Sequence, residues 1–210
     1  MPDLEPQLPR AGRKPKGEGH VRRAEILAVA QEIFVEHGYE GATIRKIAQA
    51  IGLSSTALYM HFPDKAAILN EICKEAFQAL IEGSHALLED KGPPEARLRL
   101  MIEHYIAFGF ENPSAYRLTY MTLPLDPLNG PASDVMETGI ALYQEFIQAV
   151  EAVISAGRMR GDPATVAQVI WATAHGMVSL HLAKPYFDWS DRDELVRVQL
   201  DALFAGLLKS

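Results

Sequence analysis

The side chains best able to do chemistry in this 210-residue chain crowd into one stretch, Thr43 to Lys65, reading TIRKIAQAIGLSSTALYMHFPDK. Ser54, Ser55, Thr56, Tyr59 and His61 offer hydroxyl and imidazole groups, and Arg45 and Lys65 add cations. No nucleophile elbow, Gly-rich phosphate loop or paired-cysteine motif accompanies them, here or elsewhere, so nothing points to catalysis. What remains is recognition chemistry, in which small hydroxyls meet base edges while longer polar and cationic groups meet phosphates.

Those groups need helices to hold them. Thr43 is suited to cap a short helix whose buried stripe is Ile44, Ile47, Ala48 and Ile51. Gly52 breaks that helix, and Ser54 caps the next, which ends near His61-Phe62-Pro63. Leu58 and Phe62, four apart, brace this third helix from behind. Two short helices joined by a Gly turn are how a protein lays one helix in the major groove of DNA. Ser55, Thr56 and Ala57 then form the inserted turn, and Tyr59 and His61 can reach phosphates or bases. Thr43 and Lys65 sit at helix N-termini, where free N–H groups and the helix dipole favour phosphate, and Arg45 projects toward the backbone.

Around this unit the pattern is helical throughout. A first helix is expected over 19–37, ended by Gly38, with Ile26, Leu27, Ala30, Ile33 and Phe34 inward. Asp64 should cap a long fourth helix reaching about Leu88, with Ile68, Leu69, Ile72, Ala76 and Leu80 on one face. Beyond a Lys91-Gly92-Pro93-Pro94 break, helices are expected at about 94–111, 113–122, 131–157, 163–184 and 191–208, with Leu123 to Pro131 as a loop. No segment alternates with period two, so the expected class is all-α, about nine helices, without a sheet. Residues 1–18, rich in Pro and Gly, read as a disordered arm. Its cations, Arg13 and Lys14 among them, fit either a minor-groove contact or a solubilising tail.

Charge is divided unevenly. Residues 1–65 hold nine Lys and Arg against eight Asp and Glu, whereas residues 66–210 hold eleven against nineteen. A local basic face suffices to grip phosphates, and the acidic remainder keeps the body off them. The single cysteine, Cys73, excludes an internal disulfide and suits the reducing cytoplasm as a buried, inert thiol. There is no apolar run long enough to cross a membrane and no secretory-type apolar segment near the start.

The order of these helices, with Leu58-Tyr59-x-His61-Phe62-x-x-Lys65 closing the helix–turn–helix, resembles the TetR family of transcriptional regulators. Residues 20–70 carry the resemblance most closely. Thr56-Ala57 departs from the Gly-Thr frequent in that family, which bears on the base-by-base readout. Trp171-x-x-x-His175-Gly176 resembles the Trp-His-Gly signature of one class of its C-terminal domains. The resemblance implies an arm (1–18), a DNA-binding domain (19–66) and an effector-binding and dimerisation domain (67–210). It further implies a homodimer on a double-stranded, pseudo-palindromic operator, most simply a repressor released by a small-molecule effector.

His104, Tyr105 and Phe108, then Tyr116 and Tyr120, then Trp171 and His175, recur at helical spacing, and singly each reads as core. As a group, under the family resemblance, they are the candidate effector-cavity lining, with His104 and His175 as polar anchors. The family's dimer bundle of final helices would use Val178, Leu182, Leu195 and Val198. Glu82-x-x-His85 is half of a di-iron helix motif, but no second copy follows, so neither metal nor cofactor is expected. An activator, a ligand-independent DNA-binding module, a helical metalloenzyme and a protein–protein adaptor are the readings left open.

Overall fold

The computed structural model describes residues 18–88, 92–122 and 134–209. The arm with Arg13 and Lys14, the loop expected from Leu123 to Pro131 and the first residues of the helix expected at 131 therefore lie outside the described residues.

Helix α1 spans Glu18–Gly41, but Gly38, at φ +67°, interrupts it where the sequence places its end. That left-handed backbone costs glycine little. Ile26, Leu27, Ala30 and Phe34 are buried along one stripe, with Ile33 on its rim. Helix α2 covers Ile44–Ala50, and the Thr43 hydroxyl accepts from the Lys46 N–H at 3.2 Å. Helix α3 covers Ser55–Tyr59, with the Ser54 hydroxyl accepting from the Ala57 N–H at 3.1 Å. Helix α4 runs over Lys65–Leu88, its start fixed by the Asp64 carboxylate on the Ala67 N–H at 2.7 Å.

Then come α5 (Pro94–Glu111), α6 (Pro113–Tyr116), α7 (Asp134–Ser155), α8 (Pro163–Ala183) and α9 (Arg192–Leu207). Asp162 and Asp191 cap the last two by accepting from the N–H groups of Thr165 and Glu194. Among the described residues there are nine α-helices and no strand.

One expectation needs correcting. The helix expected over 113–122 is α-helical only to Tyr116, and Arg117–Met121 is a wider π-helical turn. Such turns are rare and concentrate at functional sites. This one lies between two hydrophobic cores. The first joins α1–α3 to Ile68, Leu69 and Ile72 of α4 and also takes in Leu118. The second is built from α4 beyond Ala76, α5, α7, α8 and α9 around the fully buried Tyr116. Helix α4 thus belongs to both.

Candidate DNA interface and candidate ligand cavity

Helix α3 is held from behind by Leu58 and Phe62, both buried, leaving its other side free. Ser54 and Thr56 are exposed, Ser55, Ala57 and His61 are half-buried, and Tyr59 stands 53% exposed. Thr43 and Arg45 are exposed on α2. The six polar groups of Thr43, Arg45, Ser54, Ser55, Thr56 and Tyr59 therefore come from two helices locked together by one core. The hydroxyls of Thr43 and Ser54 accept from the helix backbone, which leaves their own O–H to donate outward. Met60, 83% exposed, went unforeseen. Its signal was available, since an apolar residue midway between Leu58 and Phe62 must face away from the packed side.

Lys65 behaves differently from an open phosphate ligand. Its ammonium donates to the Tyr39 carbonyl at 2.7 Å and lies 4.1 Å above the Tyr39 ring. Phosphate would meet an ammonium already anchored to the end of α1. Arg23 serves as a brace: its guanidinium lies 4.0 Å over the Phe62 ring and donates to the His61 carbonyl at 2.7 Å.

The second candidate site is a cavity of about 870 Å³ walled by α4, α5, the π turn, α7 and α8. Of the residues expected to line it, Tyr105, Tyr120, Trp171 and His175 do so. Tyr116 sits directly behind them, fully buried. Its hydroxyl lies 2.7 Å from His175 Nδ1 and 2.9 Å from the Tyr105 hydroxyl, while the Trp171 N–H donates to Tyr105 at 3.1 Å. One proton order satisfies all four groups: Trp171 to Tyr105, Tyr105 to Tyr116, Tyr116 to a neutral His175. Burial supports it, pushing the Tyr105 phenol up to about 12, raising Tyr116 and Tyr120 as well, and lowering the His175 imidazole.

Two expected cavity residues are elsewhere. His104 turns its ring onto α4, where any side chain at Gly83 would collide with it. Phe108 is buried in the second core. Both share α5 with Tyr105, but neighbouring positions on a helix face different partners. Phe77, Cys73, Thr119 and Tyr143 line the cavity without having been singled out for it. Cys73 was legible as an apolar-face thiol, but not that its face borders open space; burial raises its pKa.

Of the expected dimer residues, Val178 is fully buried within the subunit and has no surface to give a partner. Leu182 is half-buried against the second core and Leu195 is half-buried on α9. Val198 is 49% exposed, and Leu180 and Val169 on α8 add further exposed apolar surface. His85, from the half metal motif, lies 3.1 Å from the Glu145 carboxylate, and no group of three or more metal-ligating side chains occurs among the described residues. No described helix is long and apolar enough to cross a membrane.

Comparison with known proteins agrees with this layout. Residues 26–72 match the model of bacterial regulatory proteins of the tetR family, and residues 98–203 match the tetracyclin repressor-like C-terminal domain. The nucleoid occlusion factor SlmA of Escherichia coli is 28% identical over 194 residues, spanning 85% of this chain and 94% of SlmA. The TetR-family transcriptional regulator PfmR of Thermus thermophilus superposes with a TM-score of 0.67 at 26% identity, over 90% of this chain and 98% of PfmR. The ketosteroid transcriptional regulator KstR2 of Mycobacterium tuberculosis reaches 0.71 at 21% identity, over 90% of this chain and 96% of its own, a likeness of fold.

Proposed function

Because the chain belongs to the TetR family of DNA-binding transcription regulators, we propose that it is a homodimeric repressor released from a pseudo-palindromic operator by a small effector held in the α4–α8 cavity. One observation carries the effector part of this reading. Leu69 and Leu118 are buried in the core that supports α3 and also wall the cavity, so its filling bears on the seat of the recognition helix. An effector that fits better when the two recognition helices are off the spacing of one duplex turn, about 34–36 Å, draws the population off the operator.

The proposed division of labour follows the helices. Residues 19–66 read DNA through Thr43, Arg45, Ser54, Ser55, Thr56, Ala57, Tyr59, His61 and Lys65, with Arg13 and Lys14 on the arm. Residues 67–210 bind the effector and pair the subunits through the outer faces of α8 and α9, using Val198 and the half-buried Leu182 and Leu195. The dimer is required because one short recognition helix reads too few base pairs for a unique site.

The test is selection of genome fragments with the purified protein, followed by salt-dependent binding to the enriched sequence. A palindrome bound by a dimer with a steep salt slope supports the reading, and no enriched sequence refutes it. Small molecules carried through purification, identified by mass spectrometry and added back at saturation, must then change operator affinity. The likeness to SlmA supports a second reading, a DNA-binding nucleoid occlusion factor rather than a regulator of transcription. Sites scattered along the chromosome rather than clustered at promoters would favour it.

A further inference from the structure

The chemical class of the effector can be drawn from the cavity wall, an inference that rests on the cavity being an effector site. We propose that it takes an uncharged, mainly apolar molecule with one hydrogen-bonding function, a hydroxyl or carbonyl, set against the Tyr143 hydroxyl.

Charge is excluded from the wall. None of its described residues is Asp, Glu, Lys or Arg. From 118 to 157 the sequence holds no Lys or Arg at all, so the residues between Thr122 and Asp134 cannot supply a cation either. A carboxylate, phosphate or ammonium entering here would surrender its water and find no counter-charge among the described wall residues. The titratable wall groups do not change this, because burial favours the neutral forms of Cys73, Tyr105, Tyr120 and His175 alike.

The polar groups narrow the class further; Asn70, Ser84 and Gln144 also stand on the wall, but none of them has a buried side-chain atom left without a partner. Trp171, Tyr105, Tyr116 and His175 already satisfy one another. The Thr122 hydroxyl donates to the Arg117 carbonyl. The Thr119 hydroxyl has the weakly bonding Cys73 thiol beside it. The hydroxyls of Thr119 and Tyr143 are both buried without a full hydrogen-bond partner among the described residues, but Tyr143 lacks even a thiol beside it, and its ring rests against Trp171 at 5.5 Å between centroids. Native proteins rarely leave a buried hydroxyl so, and a ligand that supplies the partner explains it. A phenol both donates and accepts, so a hydroxyl or a carbonyl serves equally.

Calorimetric titration of the full chain with 1-decanol, decanoate and decyltrimethylammonium at pH 7.5 tests the class at constant chain length. We expect decanol to bind and each charged probe to bind at least tenfold more weakly. Tyr143→Phe should weaken decanol about fivefold, the loss of one hydrogen bond. It should not lower the melting midpoint of the free protein, since that hydroxyl has no partner to lose. A charged probe that matches decanol overturns the class and leaves the effector cavity standing. Binding of none of the three overturns both. Equal decanol affinity in Tyr143→Phe overturns the assignment of the hydrogen bond.

Discussion

The Arg23 guanidinium meets the Glu71 carboxylate side-on through two parallel bonds, Nε to Oε1 and Nη2 to Oε2, each at 3.0 Å. Its third nitrogen holds the His61 carbonyl just past α3. One side chain of α1 therefore ties α4 to the end of the recognition helix. The pair is part-exposed, and such pairs alone contribute little, so the value of this one lies in its fixed planar geometry. Arg23→Ala should cost about 1–2 kcal/mol in chemical denaturation, combining a geometrically ideal ion pair with lost packing. Arg23→Lys should recover less than half. Full recovery would show that the bidentate geometry is irrelevant.

Arg45 and Lys65 should separate in DNA binding. Arg45 is exposed with no described partner, so Arg45→Ala should reduce the salt slope by about one unit and leave stability unchanged. Lys65→Ala should reduce the slope too, but it should also lower the melting temperature, because its ammonium anchors the Tyr39 carbonyl and ring. Fluorescence anisotropy across a salt series, beside thermal melts, distinguishes the two.

Subunit pairing offers a similar contrast. Val198→Asp places a charge on the exposed face of α9 and should shift sedimentation toward monomer while preserving helical content. Val178→Ala removes two methyls from a fully buried site. It should destabilise the fold by about 1–3 kcal/mol without changing the oligomeric state. A monomeric Val178→Ala protein would restore that residue to the interface.

His175 gives the cavity a pH signature. Burial holds its imidazole below the ordinary histidine range. The unfolded chain therefore binds this proton more readily than the folded one, so stability rises with pH through that range and declines as pH falls below about 6.5. Urea midpoints at pH 7.5 and 5.5 should differ more for the wild type than for His175→Asn, whose amide cannot titrate. Equal differences would remove His175 from the pH response.

What the sequence made legible was local. Capping by Thr43, Ser54 and Asp64, the breaks at Gly38 and Gly52, and the bracing pair Leu58 and Phe62 depend on neighbours within four residues, and periodicity reports those. Which residue of a stripe meets a cavity depends on what stands opposite. His104 and Tyr105 are adjacent, yet one faces Gly83 and the other the hydroxyl of Tyr116. Val178 fits an interface by composition, and only the packing of Gly109 against it shows that its methyls point inward. The π turn left no mark, because Arg117–Met121 has ordinary helix-forming residues.

Leu118, on that turn, is buried in the core of the first three helices and at the same time walls the cavity beside Tyr120. Heat consequently finds no seam along which the two halves can part. Melting either one withdraws a plug from the other, so calorimetry of the protein should record a single cooperative endotherm rather than two.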